Sequence, residues 1–528
     1  MKGKRLLTLA LSGVLAAGVA LSMTACGGSD YDFTVWVPMV STVVGKYADH
    51  QVFQKIEEIS GKKVRYIHGE YTELEQMFST NGYYDVMILN DAMPGFQGTY
   101  PGGIEKGIKD GKIIDISDKM ETLAPNYSTI VQSEDAIKQE ALTDSAKMTA
   151  FYEILQSEQG AWYGYMMRED WLKKVPGFGD GTQVTKLPET YDDWEIIMKK
   201  FTEFNGGKAP FFLYSKGVDP FNSISAGYDV TFDFQLDKEG KVAYGPYMDN
   251  FEEYLKRMQS WYKKGWIDKN FMLSTEYVAI SDAVGGMNSE GFTEAKYGIF
   301  TQMYIYMTQY ENTAKAFGNQ NYSLIAVPNP KITSDQELHI RQKSPRAGNY
   351  AVITDKCKDV DGVMQWLDYL YSKEGQVLMN YGIEGVSYTM VDGKPYYTEI
   401  VTQNPQGYAP SDMVKKYSVQ GFPSFVDSAR ELQAAKPKEI QAIEHTWTET
   451  SDADYILPVL SLTAEEGSRY AAIMTSLQTY TEEFIYNYIA GKNSITFDDF
   501  RAELKKRGIE DAIKIKQDAY GRWQNRVK

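Results

Sequence analysis

The hydrophobic pattern of the first part of the chain alternates between short apolar runs and helical spacing. The runs Phe33–Val37, Val64–Ile67 and Asp85–Leu89 have the length of strands, and the last is continuous, as a buried parallel strand is. Apolar residues repeat at helical spacing over 46–59 and 72–78. This order of elements predicts an α/β unit, in which ligands meet the carboxyl ends of the strands.

The stretch Gly160–Phe204, about a third of the way along the chain, combines a strand, a loop and a capped helix. Trp162–Met167 is aromatic and apolar, which predicts a strand. Thr190 with Asp193 three residues later predicts a helix start, and helical apolar spacing follows. Such a unit in mid-chain indicates that one lobe ends here and another begins.

Strand and helix patterns continue to the end of the chain. Further strands are predicted over 295–301, Leu324–Val327 and Tyr350–Ile353. Helical spacing, with capping signals at several starts, predicts helices over 250–264, 361–374, 463–491, 496–508 and 511–526. The C-terminal part of the chain is therefore expected to be helical.

The chain begins with a basic and then apolar segment that predicts a secretory signal over residues 1–25. Lys2, Lys4 and Arg5 precede roughly 15 apolar residues, too few for a membrane-spanning helix. Cys26 follows small residues and resembles the lipidated cysteine of a bacterial lipobox, although Met23 stands where Leu is usual. We expect a lipid anchor at Cys26 and a flexible tether over 26–32, with ordinary secretion as the alternative.

Composition and net charge limit the classes of partner and the kind of stabilisation that the protein can have. The net charge of −16 argues against nucleic acid and anionic membrane as partners. If Cys26 is lipidated, Cys357 is the remaining cysteine and no intramolecular disulfide can form. The 528 residues are enough for two lobes, since single cores stop growing at about 250–300 residues. The 39 Tyr, 23 Phe and 9 Trp suit a polar ligand with apolar faces.

Several phrases carry a family resemblance that spans almost the whole mature chain. They lie at 168–174 (R-E-D-W-L-K-K), 188–194 (P-E-T-Y-D-D-W), 243–271, 367–375, 381–385 (Y-G-I-E-G) and 462–466 (L-T-A-E-E). In this order they resemble extracellular solute-binding proteins (family 1) of ABC transporters, in the oligosaccharide-binding group of Gram-positive lipoproteins.

The resemblance implies a two-lobed, periplasmic-binding-protein-like α/β fold of type II, with hinge-crossing strands and a helical C-terminal part. Trp162–Met167 would be the first crossing, and Leu324–Val327 would lie at or near the second. The N-terminal lobe would comprise 33–164 plus about 329–430. The C-terminal lobe would comprise 165–328 plus about 431–528.

Sugars need aromatic rings for their C–H faces and polar side chains for their hydroxyls. Candidate ligand contacts lie at strand ends, at the hinge and in loops matching those of relatives: Trp36, Asn90, Asp91, Trp162, Tyr163, Tyr165, Asp219, Phe221, Gln302, Tyr304, Arg346 and Trp447. Trp36 fits the core equally well, Asn90 and Asp91 fit local capping, and Arg346 fits either an acidic sugar or a structural carboxylate. Helical apolar spacing instead predicts core positions for Trp194, Trp261, Trp266 and Trp366.

No metal, cofactor or catalytic residue is expected. Several relatives carry an acidic calcium loop of EF-hand type after the helix that begins at Thr190. The corresponding residues 204–210 have no carboxylates, so we expect no calcium there. The four histidines lack metal-ligand spacing, and no nucleophile elbow or phosphate loop is present.

The expected function is that of the binding component of an importer, without catalysis. It would act as a monomer at the extracellular face of the membrane, lipid-anchored, with an oligosaccharide ligand and ABC permease subunits as partners. Two alternatives are a surface-anchored polysaccharide lyase or glycoside hydrolase and a ligand-sensing partner of a membrane receptor.

Overall fold

The structure is a computed structural model that describes residues 31–38, 44–91, 98–156, 160–213, 217–219, 223–271, 297–341, 346–403 and 410–527. Its strands are β1 (Phe33–Pro38), β2 (Val64–Gly69), β3 (Val86–Asn90), β4 (Phe151–Leu155), β5 (Tyr163–Arg168), β6 (Phe234–Leu236), β7 (Val242–Tyr244), β8 (Ile299–Met303), β9 (Leu324–Val327), β10 (Arg346–Ile353), β11 (Tyr388–Val391), β12 (Lys394–Tyr397) and β13 (Phe425–Val426).

The α-helices of the described residues fall before, between and after these strands. They are α1 (Gln51–Ser60), α2 (Leu74–Thr80), α3 (Ile104–Lys109), α4 (Met120–Leu123), α5 (Pro125–Ser133), α6 (Asp135–Ala141), α7 (Glu169–Leu172), α8 (Tyr191–Phe204), α9 (Asp249–Lys263), α10 (Met307–Ala316), α11 (Val360–Tyr369), α12 (Lys373–Tyr381), α13 (Glu399–Thr402), α14 (Pro410–Tyr417), α15 (Pro437–Gln441), α16 (Ala464–Ile489), α17 (Phe497–Lys506) and α18 (Ile509–Trp523).

The larger sheet has the strand order β13-β4-β10-β3-β1-β2. β1 is parallel to β2 and β3, and β13 is parallel to β4, whereas β10 runs antiparallel to both of its neighbours. All strands of this sheet except β10 therefore end at one edge, where β10 begins. We call this edge the carboxyl edge; it is marked by Pro38, Gly69, Asn90, Leu155 and Val426.

The larger sheet forms the core of one lobe. Val35, Ile88 and Val352, on the neighbouring strands β1, β3 and β10, are fully buried. Trp366 of α11 packs edge-on against Phe33, with ring centroids 5.2 Å apart. The apolar runs of β3 and β10 are buried because helices cover the sheet, as the continuous pattern predicts. This core draws on residues 33–154 and 350–422, and we call it the large-sheet lobe.

A second lobe is built on a smaller sheet with β5 at its centre, flanked antiparallel by β8 and β9. Trp194 of α8 and Trp261 of α9 stack beside it, with an interplanar angle of 11° and no exposed surface. The predicted capping box at the start of α8 is confirmed, since Thr190 and Asp193 bond reciprocally. We call this second body the small-sheet lobe.

The chain passes between the lobes at three places. β4 of the larger sheet is followed by β5, β9 is followed by β10, and β13 is followed by a π-helical segment, Ala442–Thr448, that packs on the small-sheet lobe. Trp162–Met167 was expected to be the first crossing and Leu324–Val327 to lie at or near the second; β5 and β9 pair with each other, Tyr165 opposite Val327. Backbone pairing fixes both strands inside one lobe, so the crossings lie in the residues that adjoin them.

Several predicted bounds match within a residue or two, but one helix differs. The spacing over 361–374 predicts a single helix, whereas the structure has α11 ending at Tyr369 and α12 beginning at Lys373. Ser372 starts a new helix at this point. Its hydroxyl accepts a hydrogen bond from the amide of Gly375, at 3.0 Å, and so caps the start of α12.

The C-terminal helices join the two lobes. The start of α16 abuts the large-sheet lobe so closely that a Cβ at Gly467 would lie 2.3 Å from the Gly102 carbonyl oxygen. Beyond the end of α18, Arg526 donates to Asp144 at 2.6 Å, and each of these side chains is 2% exposed. Arg522 also donates to Asp144, at 2.7 Å. None of the described helices is long and apolar enough to cross a membrane.

We expect Asp144→Ala to lower the free energy of unfolding by about 3 kcal/mol, because it leaves the buried guanidinium of Arg526 without its carboxylate. Urea denaturation of both proteins measures the difference. Asp518→Ala is the control, since Asp518 forms an exposed pair with Lys514 and should cost about 0.5 kcal/mol or less. Equal losses of unfolding free energy in the two variants would show that the buried pair stabilises the protein no more than an exposed pair does.

Candidate ligand-binding site

A connected set of polar side chains lies at the carboxyl edge. The Asn90 amide donates to Oδ1 of Asn349 at 2.9 Å, and the Asn349 amide donates to Glu153 at 2.6 Å. The other carboxylate oxygen of Glu153 accepts from the backbone amide of Gly421 at 3.1 Å. Strand pairing causes this convergence, because Asn349 of β10 lies opposite Asn90 of β3, and Glu153 lies in the middle of β4, which pairs with the other side of β10.

Glu153 is a buried carboxyl group, 4% exposed, beneath this polar set. Burial raises its pKa, while the Asn349 amide, the Arg430 guanidinium and the Gly421 amide act in the opposite direction. Both groups hydrogen-bonded to its oxygens are donors, so the geometry fits the ionised carboxylate. Asn90, Asp91 and Asn349 above it are half-buried.

A second feature is a cavity of about 30 Å³ on the small-sheet lobe. It combines aromatic rings with polar groups and is lined by Ala161, Trp162, Tyr163, Ser223, Asn329, Ile340, Arg341, Trp447 and Ser451. Three of the sequence-predicted residues, Trp162, Tyr163 and Trp447, are thus brought together. The cavity can offer ring faces and hydrogen-bonding groups to one ligand.

Trp447 is held in the cavity wall by two constraints. Its indole nitrogen donates to the carbonyl oxygen of Val327 at 3.1 Å. Its ring lies directly over Gly164 of β5, where a Cβ would come within 2.5 Å of the ring atoms. Glycine at 164 is therefore what allows the ring to approach the strand. Trp447 belongs to the π-helical segment, a rare conformation that is frequent at functional sites.

The neighbouring cavity residues are also fixed by hydrogen bonds. The Tyr163 hydroxyl donates to Thr301 at 2.7 Å, and the Trp162 carbonyl accepts from the amide of Tyr304 at 3.1 Å. Nε of Arg341 donates to the carbonyl oxygen of Ser451 at 2.9 Å, which holds the guanidinium at the wall. These contacts give the cavity a defined shape.

Two predicted contacts are corrected to core positions. Trp36, 1% exposed, packs beside Tyr71 in the core of the large-sheet lobe, as its alternative interpretation had it. Tyr165, 2% exposed, packs edge-on against Trp194 with centroids 4.8 Å apart. Tyr165 shares a strand face with Tyr163, but it lies two residues, about 6.6 Å, further from the strand end and is covered there.

Three further predicted contacts, Asp219, Gln302 and Tyr304, are enclosed by protein. Asp219, 2% exposed, accepts from the backbone amides of Ser223 and Ile224, so its carboxylate closes its own loop. Gln302, 2% exposed, donates to the Tyr310 hydroxyl at 3.0 Å.

Tyr304 is 3% exposed and donates to Glu431 at 3.2 Å. In this structure Asp219, Gln302 and Tyr304 support the site from within, because their polar atoms already bond to protein.

Phe221 and Cys26 lie outside the described residues. Arg346 begins β10, and its side chain also lies outside the description.

Some residues at the two features were missed by sequence reasoning. The apolar pattern of β10 predicts a strand that begins at Tyr350, so Asn349 fell just before it, and no element was predicted around Glu153. Arg341 and Asn329 followed an apolar strand without a pattern of their own. An amide directly before an apolar strand start was the available signal for Asn349.

One group of possible metal ligands occurs among the described residues. Atoms of His339, Asp452 and Asp454 lie within 4.8 Å of one another, and the two carboxylates are exposed. Nδ1 of His339 lies 3.0 Å from Asp452. The sequence missed this group because 113 residues separate His339 from Asp452. At the expected non-calcium loop, the Asn205 amide donates to the carbonyl oxygens of Lys208 and Ala209, each at 3.4 Å.

The fold is that of the solute-binding proteins of ABC transporters. The FusA EF-hand mutant of S. pneumoniae in complex with fructo-nystose has a TM-score of 0.71 at 19% identity, covering 93% of this chain and 99% of that one. The alginate-binding protein AlgQ2 without calcium ion has a TM-score of 0.69 at 20% identity, with the same coverage. The predicted two-lobed α/β fold is confirmed.

Two curated relatives agree with the family resemblance. The fructooligosaccharide ABC transporter substrate-binding protein FusA of Streptococcus pneumoniae is 22% identical over 509 residues, covering 90% of this chain and 87% of that protein. Lipoprotein LipO of Bacillus subtilis is 21% identical over 536 residues, covering 97% of each. No family model matches the chain. The resemblance drawn from the sequence is confirmed by these relatives.

We expect Gly164→Ala to displace the Trp447 ring and to cost about 2 kcal/mol of unfolding free energy, because the added methyl would overlap the ring. A double-mutant cycle with Trp447→Ala measures the coupling by denaturant unfolding. In the Trp447→Ala background the cost of Gly164→Ala should largely disappear. Gly521→Ala is the control, since a Cβ there meets no atom within 4 Å. Additive costs would contradict the contact.

Proposed function

We propose that this chain is the substrate-binding component of an ABC importer, which captures an extracellular oligosaccharide between its lobes and delivers it to a membrane permease. The observation that carries the proposal is the cavity in which Trp162, Tyr163 and Trp447 meet the polar groups of Asn329 and Arg341. The name of the relative FusA, an ABC transporter substrate-binding protein, supports the transport context.

The two polar features belong to one cleft in this proposal. β4 ends at the carboxyl edge, and the cavity residues Ala161–Tyr163 follow a few positions later in the chain. Aromatic rings on the small-sheet lobe would stack on the C–H faces of sugar rings, and the amides at the carboxyl edge would bond their hydroxyls. This distribution of stacking and hydrogen-bonding contacts suits a ligand that is held between the two lobes.

Ligand entry requires the lobes to separate. The cavity volume of about 30 Å³ is far below the roughly 300–1,000 Å³ of ordinary ligand pockets, so an oligosaccharide needs a larger opening beside it. We propose that the large-sheet lobe and the small-sheet lobe open and close about the three crossings. The protein acts as a monomer and catalyses no reaction.

We expect Trp447→Ala to weaken oligosaccharide binding by about tenfold or more, since a buried aromatic anchor is lost. A thermal-shift panel of glycans finds the ligand first, because a ligand at 100 times its Kd stabilises the native state by about 2.7 kcal/mol. Trp266→Ala is the control, since Trp266 lies outside the cavity lining and packs under Lys264. Glycan cleavage during incubation would instead show an enzyme.

We further propose that the protein is anchored to the extracellular face of the cell membrane through lipid on Cys26, as the lipoprotein name of the relative LipO supports. Cys26→Ser should move the protein from the membrane fraction to the medium, because a stable anchor needs the acyl chains. Immunoblots of fractionated cells measure this. Cys357→Ser, at a buried free cysteine, should leave the protein with the membrane. Retention of Cys26→Ser in the membrane fraction would refute the anchor.

A further inference from the structure

The hydrogen bonds at the carboxyl edge run in one direction. Glu153 accepts from the Asn349 amide at 2.6 Å, and Oδ1 of Asn349 accepts from the Asn90 amide at 2.9 Å. The Tyr71 hydroxyl also points its donor toward Oδ1 of Asn349, at the longer distance of 3.5 Å. Every donor in this set is therefore oriented toward the buried carboxylate.

The carboxylate is the cause of this direction. An ionised carboxylate can only accept, so the Asn349 amide must turn its NH₂ toward Glu153 and its oxygen toward Asn90. That oxygen in turn requires the Asn90 amide to donate, which turns the Asn90 carbonyl oxygen away from Asn349. The second oxygen of Glu153 is fixed by Gly421, so the carboxylate cannot rotate to relax the arrangement.

Negative charge accumulates at the same edge. Asp91 follows Asn90 directly, and its backbone amide is bound to the Gly348 carbonyl oxygen at 3.1 Å, which places it at the start of β10. Burial raises the pKa of Tyr71, and the charges of Glu153 and Asp91 raise it further. An anion brought to this edge would meet both charges, of which that of Glu153 is partly offset by the Arg430 guanidinium.

We propose, as a refinement that rests on the oligosaccharide function above, that the carboxyl edge selects an uncharged sugar unit whose hydroxyls donate hydrogen bonds. Asn90 and Asp91 contact that unit with acceptor oxygens. Glu153 is a positioning residue, which acts through Asn349 and sets which atom of Asn90 is presented. A uronate unit is rejected at this edge, because its carboxylate would replace a donor by an acceptor and add like charge.

Two sets of short glycans test the selection by thermal shift and calorimetry. The neutral set comprises fructo-, malto-, xylo- and manno-oligosaccharides. The second set comprises oligosaccharides of alginate and polygalacturonate, in which every unit is a uronate, so that no register avoids the edge. We expect binding from the neutral set at least tenfold tighter than any from the uronate set.

The variant Glu153→Gln tests the cause. A glutamine would place an NH₂ against either Asn349 or Gly421, which lets the Asn349 and Asn90 amides turn over and present a donor. We expect the affinity for the tightest neutral glycan to fall about tenfold, which corresponds to the loss of roughly one hydrogen bond. We also expect the ratio of neutral to uronate affinities to become smaller.

Asp368→Asn is the matched control. Asp368 is also a buried carboxylate of the large-sheet lobe, accepting from Asn126 at 2.7 Å and from the amide of Tyr127 at 2.9 Å. Its partners Asn126 and Tyr127 belong to α5, whereas Glu153 bonds to Asn349 and Gly421, so its variant should lower thermal stability and leave affinity and preference unchanged. Equal effects of Glu153→Gln and Asp368→Asn on affinity would overturn the positioning role.

The remaining outcomes separate the two proposals. Uronate glycans that bind as tightly as neutral ones would overturn the selection and keep the oligosaccharide function. A protein that binds neither set would overturn the oligosaccharide function and the selection with it.

Discussion

The contact of Trp447 with Gly164 and Val327 joins three segments that each adjoin a passage of the chain between the lobes. Gly164 follows the first passage of the chain between the lobes, Val327 precedes the second, and Trp447 lies after the third. One indole ring therefore brings all three passages together and at the same time forms a wall of the cavity. The geometry of the cavity and of the junction cannot change independently, because they share this side chain.

The local part of the fold could be predicted from the sequence. Apolar runs located β1, β3 and β9, and the Thr190 capping box located α8, because these signals are carried by neighbouring residues. The core positions of Trp194 and Trp261 followed from helical spacing for the same reason. The second crossing lies near β9 as expected, whereas pairing with β9 places β5 beside the first crossing, since membership of a sheet depends on partners distant in the chain.

The candidate site could be predicted where single residues carry the signal. It could not be predicted where strand pairing brings together residues that are distant in the chain. Trp162, Tyr163 and Trp447 were predicted from the hinge and the cleft aromatic that the family resemblance implies, and the structure places all three in the lining of one cavity. Asn349 and Glu153, 196 residues apart, came together only through the strand order of the larger sheet. Asp219 has a suitable side chain for a ligand, but hydrogen bonds to its own loop engage it.

The pairing of Asp144 with Arg526 has a consequence for the order of folding. The two residues are separated by 382 positions, and Arg526 is two residues from the end of the chain. During synthesis the part of the large-sheet lobe that contains Asp144 emerges before Arg522 and Arg526. The buried carboxylate gains these partners only after the small-sheet lobe has been made, so the large-sheet lobe can still adjust its conformation before this pair joins it to the C-terminal helices.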